Sequence, residues 1–251
     1  MDIATLSGLF AGFGVALGAV FLGPDPGTIA YLPSLMFVLG GTCAAILLTC
    51  PADDVCQAVR IGIRALTAER IPARDAVMVM VQLAEASYQE GIMALEKIQT
   101  TNPVLKKAAQ LIADNADPDL IRDTLSIEIL ALRRRHAIGI SVFARLAMYA
   151  PAIGMLGTLV WLVQMPVVLD SPDGLGQNMG AALMTTLYGC LLSLLVFLPL
   201  AGRIKTRGMQ REYRLNIIFE GACRILENNN PKLVFEKLAS FLPPEERLGA
   251  R

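Results

Sequence analysis

Residues 151–165 read PAIGMLGTLVWLVQM and residues 180–199 read GAALMTTLYGCLLSLLVFLP. Both stretches are long and apolar, and both carry prolines, glycines and threonine hydroxyls. A helix surrounded by hydrocarbon finds no partner for a hydroxyl beyond its own backbone. Ala150, Gly154 and Thr158 recur every fourth residue and share one helix face. Ala181, Thr185, Gly189 and Ser193 do the same, with Thr186 and Cys190 beside them. Such a stripe of small and hydroxyl residues packs on protein or water, so the pair reads as two membrane helices lining an interface or an ion path.

The bulk of the chain agrees with a membrane class. Of 251 residues, 54% are hydrophobic and 18% charged, and the mean hydropathy is +0.53, more apolar than a soluble domain of this length. Cys43, Cys50, Cys56, Cys190 and Cys223 are odd in number and form no CxxC, so they read as free, mostly buried thiols. His136 is the only histidine. With no nucleophile elbow, phosphate loop or dinucleotide fingerprint, neither an enzyme nor a resident cofactor or metal is expected.

Four uncharged runs reach the roughly 20 residues a span requires: Ile3 to Gly23, Ile29 to Cys50, Leu146 to Leu169 and Met179 to Gly202. The first carries overlapping GxxxG spacings at Gly8, Gly12, Gly14 and Gly18. It follows an acidic Met1-Asp2 with no basic leader, and reads as a retained helix rather than a signal peptide. Gly23-Pro24-Asp25-Pro26-Gly27 predicts the turn that closes a tight hairpin. Pro166, near the outer end of the third run, terminates a helix.

Between the second and third runs the pattern becomes charged and helical, as in Val77, Val81, Ala84 and Tyr88, or Ile121, Leu125, Ile129 and Leu132. Thr101-Asn102-Pro103 and Asp117-Pro118 predict helix starts, and Asn228-Asn229-Asn230-Pro231 a break in the helical tail. The expected organisation is a transmembrane hairpin at 1–50, a helical domain at 51–139, an ion-path region at 140–202 and a tail at 203–251. The fold class is therefore all-α: a polytopic membrane protein with four spans and a helical domain inserted between the second and third.

Charge gives an orientation. Of the 22 lysines and arginines, 11 lie between Pro51 and Gly139, one is Arg145 and 10 follow Gly202, which leaves none at 23–29 or 170–178. Basic residues are retained on the cytoplasmic side. The inserted domain, the tail and both termini are thus expected inside, with the two short loops outside. The formal net charge of zero rules out nothing by itself; no nucleic-acid partner is expected.

The segments Pro151-Ala-Ile-Gly-Met-Leu-Gly-Thr-Leu-Val, Ala182-Leu-Met-Thr-Thr-Leu-Tyr-Gly and Leu198-Pro-Leu-Ala, in this order, resemble the MotA/PomA family of flagellar stator channel subunits. The opening Met1-Asp2-Ile-Ala-Thr-Leu-Ser-Gly-Leu, Gly91-Ile-Met-Ala-Leu-Glu and the stretch from Arg122 to Glu128 look similar to it too. The resemblance implies a homo-pentamer around a MotB/PomB-like subunit, whose single span brings the ion-binding aspartate. This chain has no carboxylate inside any apolar run, and a cation path normally needs one.

By the same resemblance, Thr158, Thr185 and Thr186 match pore-lining threonines, and Thr158 favours transported Na+ over H+. Pro151 and Pro199 match prolines that couple ion state to shape. Glu96 matches a charge facing a FliG-like rotor protein. The chain departs from the pattern at Trp161, where relatives commonly carry glycine, and at Tyr88, Gln89 and Glu90, where they carry basic residues before the glycine matching Gly91. A TolQ/ExbB-like transducer, or another ion-driven motor with a non-flagellar output, is the alternative reading.

Overall fold

The computed structural model describes residues 14, 32–67, 73–91, 103–114, 117–165, 172–227 and 230–244. Apart from Gly14, the first expected span and its turn lie outside these residues, as do Glu96 and Pro166. Every element among the described residues is a helix, as the apolar and amphipathic periodicities dictate. Three of the helices are long and apolar enough to cross a membrane: Leu32–Thr49, Asp119–Val163 and Gly176–Glu227. They carry the second, third and fourth expected spans, and the chain folds as an all-α membrane protein. It divides into two compact units, Met1–Ala68 with His136–Lys205, and Glu69–Arg135 with Thr206–Arg251.

In the first unit, α1 (Leu32–Thr49) buries Ser34, Val38, Thr42 and Ile46, one residue per turn. Leu32, Met36, Leu47 and Leu48 point outward, as suits a helix in hydrocarbon. Arg145 closes the end of α1, its Nη1 donating to the Thr49 carbonyl at 3.0 Å and to Cys50 Sγ at 3.3 Å. An arginine at this end meets both the orphaned carbonyls and the negative pole of the helix.

Pro51 begins a new turn, its carbonyl accepting from the amides of Asp54 and Val55. The amphipathic α2 (Ala52–Thr67) follows, with Asp53 and Asp54 in its first turn and Arg64 in its last, an arrangement that complements the helix dipole. Its Ala58 and Ala65 pack with Val142, Phe143, Leu146, Ala201 and Ile204. Arg203 Nε donates to the Ala65 carbonyl at 3.2 Å. The sequence boundary at residue 50 follows charge, whereas packing groups α2 with the spans.

The second unit is a helical core. It is built by α3 (Ala73–Glu90), α4 (Pro103–Ala113), the start of α5 (Pro118–Val163), the end of α7 (Leu198–Glu227) and α8 (Pro231–Ala239). Ile121, Leu125 and Ile129 of α5 are buried, with Leu132 packed against the core, as their spacing predicts. On α3 the buried face runs instead through Val77, Met80, Leu83 and Ala84, and Tyr88 is 67% exposed. The face differs from the expected one by a rotation: Met80 and Leu83 take its centre, Val81 packs at its edge and Tyr88 turns outward, because the core lies on the Met80 side.

Caps follow the sequence signals. Asp117 accepts from the amide of Asp119 at 3.0 Å ahead of Pro118, and Asn230 from that of Lys232 at 3.1 Å ahead of Pro231. Pro103 is the first residue of α4. Gly91, at φ +84°, ends α3 in the left-handed conformation that costs glycine least. Tyr213 stacks edge-on to Phe241 with ring centroids 6.0 Å apart, and its hydroxyl donates to the Phe241 carbonyl.

Candidate functional site

The membrane half of α5 and the helix α6 (Pro172–Leu191) meet through their small residues. A Cβ on Gly154 would lie 2.9 Å from the Thr185 carbonyl oxygen, and one on Gly189 would lie 2.6 Å from that of Ala150. Real Cβ atoms do not approach backbone so closely, so these glycines bring the two backbones into contact. This is the close packing that small-residue faces allow in membranes. The stripe quoted from the sequence is therefore a helix–helix contact inside one chain.

The three candidate threonines differ in their settings. Thr185 is wholly buried, its Cβ 2.8 Å from where a Cβ on Gly157 would stand. Its hydroxyl donates to the Ala182 carbonyl at 2.7 Å. Thr186 is half-buried, and its hydroxyl reaches across to the Gly154 carbonyl at 3.5 Å. Thr158, also half-buried, donates to the Met155 carbonyl at 2.6 Å.

Each hydroxyl thus spends its proton on a backbone carbonyl, which leaves its oxygen lone pairs available as acceptors. Half-buried oxygens of this kind can ligate a hard cation. Thr185, packed under Gly157, cannot do so without the helices parting. No cluster of three histidine, cysteine, aspartate or glutamate side chains exists among the described residues. Around the contact, Met155, Leu156, Leu159, Met179 and Leu183 are exposed, an apolar surface suited to lipid or to neighbouring chains.

Both candidate prolines sit inside continuous helix. Pro151 lies within α5 without ending it. Pro199 is the second residue of α7, and the six residues before α7, Leu192–Phe197, are wound as a π-helix. There the amide of Leu198 donates to the Ser193 carbonyl, five residues back. The Ser193 hydroxyl donates to the Ala147 carbonyl on α5 at 2.6 Å, and the Ser34 hydroxyl of α1 donates to the Ala181 carbonyl of α6 at 3.0 Å. The π segment has no signature that periodicity could reveal. In the sequence, Ser193 is only one more small residue in a stripe.

Charge gathers away from the spans. The Glu212 carboxylate accepts from Arg133 and holds that guanidinium above its usual pKa. Burial lowers the pKa of Arg214, with Arg211 and Arg207 adding repulsion. Burial also raises the Cys223 thiol, against the opposing pull of a hydrogen bond from Arg122.

Comparison with known proteins places these features in a family. Residues 96–216 match the MotA/TolQ/ExbB proton channel family. The chain is 33% identical to the chemotaxis protein PomA of Vibrio alginolyticus over 247 residues, 98% of each chain. It is 30% identical to motility protein A of Treponema pallidum, over 98% of this chain and 96% of that one. Among solved structures, it is similar to the flagellar MotAB stator complex from Bacillus subtilis, with a TM-score of 0.86, 25% identity and coverage of 100% and 99%. A second likeness, to MotAB of C. jejuni, has a TM-score of 0.88 at 20% identity over 98% and 97%, and bears on the fold alone.

Proposed function

This chain belongs to the MotA/PomA family, within the MotA/TolQ/ExbB proton channel family, and on that premise we propose that it is the channel subunit of a flagellar stator. It couples cation flow across the bacterial inner membrane to torque. The single observation that carries this reading is the α5–α6 contact, which presents hydroxyl oxygens and no carboxylate. An oxygen-lined wall without an acid is half of an ion path. The missing half is the aspartate of a MotB/PomB-like single-span partner. The similar B. subtilis structure is that of a flagellar MotAB stator complex, which supports a partner of this kind.

The ion is Na+ rather than H+. Sodium requires oxygen ligands and cannot hop along hydrogen bonds, and Thr158 and Thr186 offer oxygen. Each charge crossing the membrane releases about 2.3 kcal/mol per 100 mV. That energy turns a homo-pentamer around the partner, with Pro151 and Pro199 converting ion state into helix shape. The segment that includes Glu96 faces a FliG-like rotor protein. Residues 51–139 and 203–251 lie in the cytoplasm together with both termini, and 140–202 forms the ion-path region.

The test is complementation. Cells lacking their own stator proteins, given this chain and a MotB/PomB-like single-span protein, should regain flagellar rotation. Replacing the aspartate in the partner's span by asparagine should abolish it. A TolQ/ExbB-like transducer would instead assemble without restoring rotation. Similarity along 98% of a PomA chain supports the stator.

A further inference from the structure

In an α-helix each carbonyl accepts from the amide four residues on. For Ala147 that residue is Pro151, which has no N–H. Ala147 is only 7% exposed, and a carbonyl so buried in protein is costly to leave without a donor. The donor this carbonyl receives is the Ser193 hydroxyl, at 2.6 Å and 6% exposed. The Ser193 carbonyl, in turn, accepts the Leu198 amide in the i→i−5 bond of the π segment. Leu198 directly precedes Pro199, whose ring would collide with the Leu195 carbonyl in an unbroken α-helix.

One residue thus holds both ends of the problem the two prolines create. Two other hydroxyl bonds that cross between helices are different in kind. Ser34 and Thr186 donate to Ala181 and Gly154, carbonyls whose fourth following residues, Thr185 and Thr158, carry an N–H of their own.

We infer that Ser193 is a positioning residue that joins the Pro151 and Pro199 irregularities into a single two-state element. With its hydroxyl on Ala147, the kink site in α5 and the π register at Leu192–Phe197 are held together. When the hydroxyl leaves, the Ala147 carbonyl loses its donor and Leu198 is free to return to the α register by bonding Leu194. π segments inside α-helices commonly mark such functional points. The functional consequence rests on the stator reading, in which ion state must alter helix shape; the hydrogen-bond relay itself does not.

The experiment is a double-mutant cycle on the purified full-length chain in detergent, read by thermal midpoint and by hydrogen exchange of peptides containing Leu198. Ser193→Ala strands the Ala147 carbonyl and should lower the midpoint by roughly 2–8 °C while speeding exchange at Leu198. Pro151→Ala returns a backbone N–H to Ala147. In that background Ser193→Ala should therefore cost less than half as much. Equal losses in both backgrounds would mean that Ser193 merely packs, and would overturn the proposal.

If Ser193→Ala does not accumulate, recovery by the added Pro151→Ala supports the relay and no recovery overturns it. In cells, Ser193→Ala should slow rotation more than it lowers the amount of assembled protein. A non-additive cycle in a chain that never drives rotation would fail the stator reading and leave the relay standing. An additive cycle in a rotating motor would do the reverse.

Discussion

At the scale of single residues, the closest backbone contact makes the sharpest demand. A methyl on Gly189 would press on the Ala150 carbonyl at 2.6 Å, whereas one on Gly40 meets nothing within 4 Å. Gly189→Ala should cost about 1–3 kcal/mol, and Gly40→Ala should be neutral or slightly stabilising through helix propensity; thermal unfolding in detergent measures both. Cysteine chemistry gives a second check. Cys56 is exposed on α2 and Cys223 is buried, with burial holding its thiol protonated above the usual range. A water-soluble maleimide at pH 8 should modify Cys56 at least about ten times faster than Cys223. From sequence the thiols are expected to be mostly buried, but Cys43 is exposed as well; periodicity alone does not say which side of a uniformly apolar helix is covered.

At the scale of elements, the second, third and fourth spans were legible because absence of charge over twenty residues has one common solution. So was the Ile121–Leu125–Ile129 face, which repeats every fourth residue over two turns. Faces set by partners were less legible, as Tyr88 shows: its position in a periodic list did not bring it to the core. The π segment was invisible, since Pro199 acts on carbonyls a turn before itself and the sequence marks only the proline. The arginine caps escaped for a related reason. Arg145 and Arg203 read as membrane-edge charges, yet their guanidinium groups close α1 and α2 on carbonyls 96 and 138 residues away. Arg145→Ala should destabilise the chain by about 0.3–1 kcal/mol, the usual worth of a cation at a helix C-terminus. Arg145→Lys should recover part of that loss in the same unfolding assay.

At the scale of the whole molecule, function depends on topology and on the ion. The lysine and arginine distribution predicts that 170–178 faces outside and the start of α5 the cytoplasm. In a chain stripped of its own cysteines, an impermeant thiol reagent added to intact cells should label Asp173→Cys and spare Asp119→Cys until the membrane is opened. Spacing and resemblance group the three threonines into a proposed ion path, of which only their places on α5 and α6 were legible. Their different settings were not, because a spacing rule cannot tell that Thr185 is sealed under Gly157 while Thr158 and Thr186 stay half-buried. Thr158→Ala should therefore alter ion dependence with little effect on assembly, and Thr185→Val should act mainly on stability. The most direct measurement is the rotation rate of single motors driven by this chain and its partner, followed as sodium is varied at fixed pH. The account predicts rotation that rises with sodium, stops without it and loses its sodium dependence in Thr158→Ala; rotation indifferent to sodium and halted by a protonophore would contradict it.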